Sequence, residues 1–96
     1  METITIKTTH GVPLIFRGQL LSAWAERRGE WRTTCELYQT AAGGHCGVVR
    51  HCHLPADDAP EVRAILAPEP GQASLHTALQ FCGSAKGAFR LLSAGA

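Results

Sequence analysis

Apolar and polar residues alternate with a period of two through most of the first half of this chain. That pattern restricts the fold more than any other feature. "TITIKTT" (Thr3 to Thr9) sets Ile4 and Ile6 between threonines and Lys7, as a half-buried strand does. "HGVP" breaks the pattern. "PLIFRGQLLSAW" then puts Leu14, Phe16, Leu20 and Trp24 on one face and Arg17 and Gln19 on the other, with Gly18 as the expected bulge. "AERRGE" is a charged connection with a turn at Gly29. "WRTTCELYQT" alternates again, Trp31, Cys35 and Leu37 against Arg32, Thr34, Glu36 and Tyr38. "AAGG" follows, and Gly43-Gly44 suits a tight hairpin turn into the return strand "HCGVVRHCHL".

Prolines then take over at Pro55, Pro60, Pro68 and Pro70. "APEVRAILAP" reads as a short helix, with Pro60 in its first turn and Pro68 ending it; a short strand is the alternative. Beyond Ser74 the period lengthens. Leu75, Ala78, Leu79, Cys82, Lys86, Phe89 and Leu92 recur at helical spacing, with Ser74 as N-cap and Gly95 closing the helix. The expected architecture is α+β: an antiparallel sheet of about four strands over 3–54, a proline-rich connection over 55–71, and one long helix over 74–93. Ninety-six residues make a single domain with one core.

The charge balance removes several functional classes. Seven arginines and two lysines against eight acids give a net charge of +1, too little for a general nucleic-acid or membrane-surface binder. No apolar run approaches the ~20 residues of a membrane span. Four cysteines without a leader-like N-terminus point to a cytoplasmic protein with reduced thiols. Phosphate-loop, dinucleotide-loop and nucleophile-elbow motifs are absent from the sequence. A non-catalytic protein without a cofactor is therefore expected.

The densest chemistry lies on the return strand. Alternation puts His45, Val49, His51 and His53 on one face, and Cys46, Val48, Cys52 and Leu54 on the other. A two-residue Gly43-Gly44 turn would set Cys35 opposite Cys52 and Glu36 opposite His51. A four-residue "AAGG" loop would set Leu37 opposite Val48 and Thr34 opposite His51. Both registers place the cysteines with Leu37 in the core and leave the histidines in water. His51 and His53, with Glu36 or His45, are a candidate zinc set, set against a plain solvated strand; no second ligand pair at metal-binding spacing accompanies them.

"WAERRGEWR" is the candidate interaction surface, because Trp and Arg are the residues interfaces favour. Trp24, Arg27, Arg28, Trp31 and Arg32 form the expected contact patch, extended by the outward face of Glu36, Tyr38, His51 and His53. The competing reading has both tryptophans anchoring the sheet against the helix while the arginines pair with Glu26 and Glu30. Arginine beside tryptophan also suits stacking on single-stranded bases.

The hairpin "CELYQTAAGGH" resembles a pattern in small proteins of bacterial plasmids, phages and other mobile elements. There a strand ending Leu-Tyr-x-Thr runs through a Gly-Gly turn into a strand that begins with an aromatic residue. Glu36, Leu37, Tyr38, Thr40, Gly43 and Gly44 match, and "FRGQLL" and "LQFCGSAKGAFRLLSAGA" resemble its strand and C-terminal helix. Cys46 stands where an aromatic residue is usual. The resemblance carries no activity and no site residue. It implies an accessory single-domain protein that acts through a protein partner, for which an inhibitor of a host defence complex fits the size. Single-stranded nucleic-acid binding and zinc binding are the alternatives, with a monomer or homodimer as the assembly.

Overall fold

The computed structural model describes residues 1–54 and 60–94, with side chains as far as Ala85. Five strands, β1 (Glu2–Ile6), β2 (Leu14–Arg28), β3 (Trp31–Thr40), β4 (His45–His53) and β5 (Glu61–Ala67), precede one helix, α1 (Gln72–Ala94). The strands form a single antiparallel meander in chain order. The fold is thus α+β as expected, with five strands rather than about four. The additional strand is 61–67, where the structure has the alternative short strand and not the helix. Val62, Ile65 and Leu66 have helical spacing, yet the segment completes the sheet by pairing with β4. Residues 55–59 of the expected proline-rich connection, and the expected helix stop at Gly95, lie outside the described residues. So do the side chains of Lys86, Phe89 and Leu92.

Two turns set the registers. Gly29 and Glu30 join Arg28 directly to Trp31, with Gly29 at φ 59°, as a two-residue hairpin turn requires. The β3–β4 loop has three residues, Ala41 to Gly43. Gly43 adopts φ 92° and donates to the Thr40 carbonyl at 3.0 Å, while Gly44 donates to Thr40 Oγ1 at 2.9 Å. This loop shifts the pairing by an odd number of residues from both expected registers. Cys35 therefore faces Val49, Leu37 faces Gly47 and Thr33 faces His51. A one-residue slip exchanges the faces. Cys35 and Leu37 share the histidine face, whereas Glu36 and Tyr38 share the face of Cys46, Val48 and Cys52. Cys35 and Cys52 lie on opposite sides of the sheet, and none of the four cysteines forms a disulfide.

The sheet rolls until its two ends meet. Thr9 donates its N–H to the Val62 carbonyl at 3.0 Å, and Val62 donates to Thr9 Oγ1 at 2.7 Å. Inside the curl, Ile6, Tyr38, Cys46, Val48 and Val62 form one core with Ile4, Leu14, Phe16, Ala64 and Leu66. Full burial of Val48 in such a core contributes about 1.5–3 kcal/mol. The outer face carries a second, smaller core, where Cys35 and Val49 meet Cys82, Ala85 and Phe81 of α1. The buried stripe of α1 is Ser74, Ala78, Cys82 and Ala85, all small, so the helix lies close to β4. Gly47 makes that approach possible: a β-carbon there would sit 2.8 Å from the Ala78 carbonyl oxygen and 3.0 Å from Cys82 Sγ. Leu79, expected on the buried stripe, is 43% exposed. Ser74 is not the N-cap but lies inside the first turn, donating to the Gly71 carbonyl at 2.9 Å.

Candidate partner-binding surface

The strands β2 and β3 carry the tryptophans and most of the arginines, and β2 outruns its neighbour. β1 covers β2 only from Leu14 to Gly18, so the part from Gln19 onwards has β3 on one side and, among the described residues, no strand on the other. The bulge falls between Leu20 and Ser22 rather than at Gly18. The extra residue, Leu21, reverses the alternation, so Trp24 lies on the opposite face from Leu14 and Phe16. Ser22, Trp24, Glu26 and Arg28 consequently point to the outer face, where α1 packs on β3, β4 and β5.

The expected patch is therefore divided. Trp24, Arg28 and Trp31 share the outer face, and Arg27 and Arg32 pair with each other on the inner one. Glu36 and Tyr38 do not belong to the patch at all. Arg50 Nε donates to Glu36 Oε1 at 2.8 Å and the Tyr38 hydroxyl donates to Glu36 Oε2 at 3.1 Å, a network on the inner face. Burial, reinforced by the Glu36 charge, pushes the Tyr38 hydroxyl above its usual pKa. The odd register shift accounts for this correction: it turned the face of Glu36 and Tyr38 inward.

His51 and His53 do lie on the outer face, but as a structural stack. Trp31 lies flat on His51 and tilts against His53, with both centroid separations at 4.6 Å. His51 Nδ1 and Thr33 Oγ1 share a hydrogen bond of 2.9 Å, and His53 Nε2 lies 3.1 Å from Glu30 Oε2. Glu30 thus meets a histidine where an arginine was the expected partner. His45 and His51 are each only 6% exposed, so the reading of three histidines in water is overturned for both. The Ser74 hydroxyl gives its one proton to Gly71, so at 2.7 Å it accepts from Nδ1–H of His45, which fixes the proton position on that ring. Among the described residues, no three His, Cys, Asp or Glu side chains gather as a metal site. No described helix is long and apolar enough to cross a membrane.

Trp24 is the exposed aromatic residue of the group, 36% open on the uncovered outer face. Phe81 marks the β5 side of α1, since it lines a cleft with Val62, Arg63 and Ala64. Leu79 lies two residues earlier, roughly 160° round the helix, on the flank that looks towards β2. Leu79, Trp24 and Leu21 are each exposed large apolar side chains. The sequence signalled Trp24 but not Leu21, which was assigned to no face, or Leu79, which was read as part of the buried helical stripe.

No family model, curated protein or solved structure matches this chain.

Proposed function

We propose that this protein is a non-catalytic binding module that acts through a protein partner held on the outer face of the β2–β3 hairpin. The observation that carries the reading is Trp24, exposed on the same outer face of the hairpin as Arg28 and Trp31. Tryptophan and arginine exposed on one sheet face are the residue types that interface centres favour. The hairpin motif from Glu36 to Gly44 supports an accessory role on a mobile element, with a host defence complex as the class of target. Four cysteines without a disulfide fit a cytoplasmic setting.

The test compares affinity capture from nuclease-treated bacterial lysate by the wild type and by a Trp24→Ala/Arg28→Ala variant that retains its circular dichroism spectrum. A protein retained by the wild type and lost from the variant supports the reading. Equal capture by both rejects the surface. Salt-dependent binding of a labelled thymidine oligonucleotide, lost in the same variant, would replace the protein partner with single-stranded nucleic acid.

A further inference from the structure

The uncovered half of β2 has a polar edge as well as a face. Arg28 and Trp31 flank a two-residue turn, so that pair exchanges both of its backbone hydrogen bonds across the hairpin. The pattern repeats every two residues, and Ser22, Trp24, Glu26 and Arg28 therefore all spend their N–H and C=O groups on β3. Ala23, Ala25 and Arg27 turn theirs the other way, to the side that β1 does not reach. Among the described elements only β1 and β3 pack appreciably against β2. A row of open donors and acceptors of this kind is a template for an added strand.

The charges beside the edge indicate what would be added. The uncovered part of β2 carries Arg27 and Arg28 against Glu26 alone, and Arg27, whose Nε donates to the Gly29 carbonyl at 3.0 Å, stands directly opposite Arg32 on the inner face. Like charges directly opposed across two strands destabilise the pair. A strand bearing acidic side chains on its inner face would relieve that opposition, whereas a second copy of β2 would add its own arginines to it. Ala23 and Ala25 are small and exposed, so nothing on the inner face obstructs an incoming chain.

We infer that the edge Ala23–Ala25–Arg27 of β2 takes up an extended acidic segment of the partner protein as a sixth strand, alongside Trp24. This inference rests on the proposed protein-binding role and specifies its mode. The main chain supplies the bonds, Arg27 and Arg32 select acids, and Trp24 packs an apolar side chain on the outer face.

Selection of a displayed library of short random peptides on the folded protein tests it. Enriched peptides should be acid-rich and extended. Ala25→Pro should weaken their binding roughly tenfold or more, since proline removes an outward N–H without touching the β2–β3 ladder. Because that variant can fail for reasons of folding, amide hydrogen exchange of the wild type provides a second arm. Ala23, Ala25 and Arg27 should exchange quickly in the free protein and become protected when a selected peptide is added. Peptides without an acidic excess, binding that survives Ala25→Pro in a folded protein, or no gain of protection would each overturn the inference. Concentration-dependent dimerisation abolished by Ala25→Pro would assign the edge to a second copy and overturn it too. Loss of binding in Trp24→Ala but not in Ala25→Pro would reject edge addition while leaving the protein-binding face standing. Indifference to Trp24→Ala and Arg28→Ala would instead reject that face.

Discussion

Trp31 lies flat on His51, with ring centroids 4.6 Å apart and ring planes 4° from parallel. The stack takes the imidazole out of water, and burial lowers its pKa below the usual value, with Arg63 acting in the same direction and Glu61 against it. A histidine whose folded pKa is lowered binds fewer protons in the native state than in the unfolded one. Its stabilising contribution is complete above the unfolded pKa of about 6.5 and falls away as the pH drops from there towards the folded value. The urea midpoint should therefore decrease between about pH 7.5 and pH 5.5, and His51→Gln should flatten that dependence. An unchanged pH profile in His51→Gln would show that another group controls it.

The close approach of α1 to β4 gives a second prediction. Gly47→Ala would drive a methyl group to 2.8 Å from the Ala78 backbone oxygen, which cannot rotate away. The substitution should cost about 1–3 kcal/mol in denaturant unfolding. Gly83→Ala is the control, because its β-carbon meets nothing within 4 Å on the exposed side of the same helix. It should stabilise by about 0.5–1 kcal/mol.

The alternation was legible in the sequence, and so were the Gly-Gly hairpin and the long C-terminal helix, because each is written in local chemistry. Parity was not. Whether Glu36 points inward or outward depends on a loop having three residues rather than two or four, and glycines permit all of them. Leu21 hides in a run of apolar residues yet reverses everything after it, moving Trp24 to the outer face. Val62, Ile65 and Leu66 satisfy a helical period and a strand equally, and only pairing with β4 decides between them. The candidate site was legible as composition, in Trp24, Arg28 and Trp31. Its open edge was not, because the length of β2 beyond β1 is a property of the sheet.

Thiol chemistry separates the cysteines. Burial pushes the Cys46 thiol up to about 12 and the Cys82 thiol up to about 11, and Cys35 is as deeply enclosed as either. Only thiolates react rapidly with disulfide reagents. Under native conditions Cys52, partly open at the end of β4, should be modified first and alone. The other three should follow at the rate of global unfolding. Intact-mass spectra over a labelling time course would show a single early adduct, and mapping that adduct to Cys35 would contradict the packing of α1 on β3.

The two tryptophans should respond differently to truncation, since one is held in a stack and the other stands ready for a partner. Trp31→Ala removes the ring between His51 and His53 and leaves both imidazoles with an open face. That change should cost about 2–3 kcal/mol, below the range for a fully buried aromatic residue because Trp31 is only half-buried. Trp24 is 36% exposed, and Trp24→Ala should cost about 1 kcal/mol. Acrylamide quenching in the single-tryptophan variants gives an independent reading. With Trp31→Phe the remaining Trp24 should be quenched readily, and with Trp24→Phe the remaining Trp31 should resist. A reversal of that order would place Trp24 in the interior and remove the anchor on which the proposed interface depends.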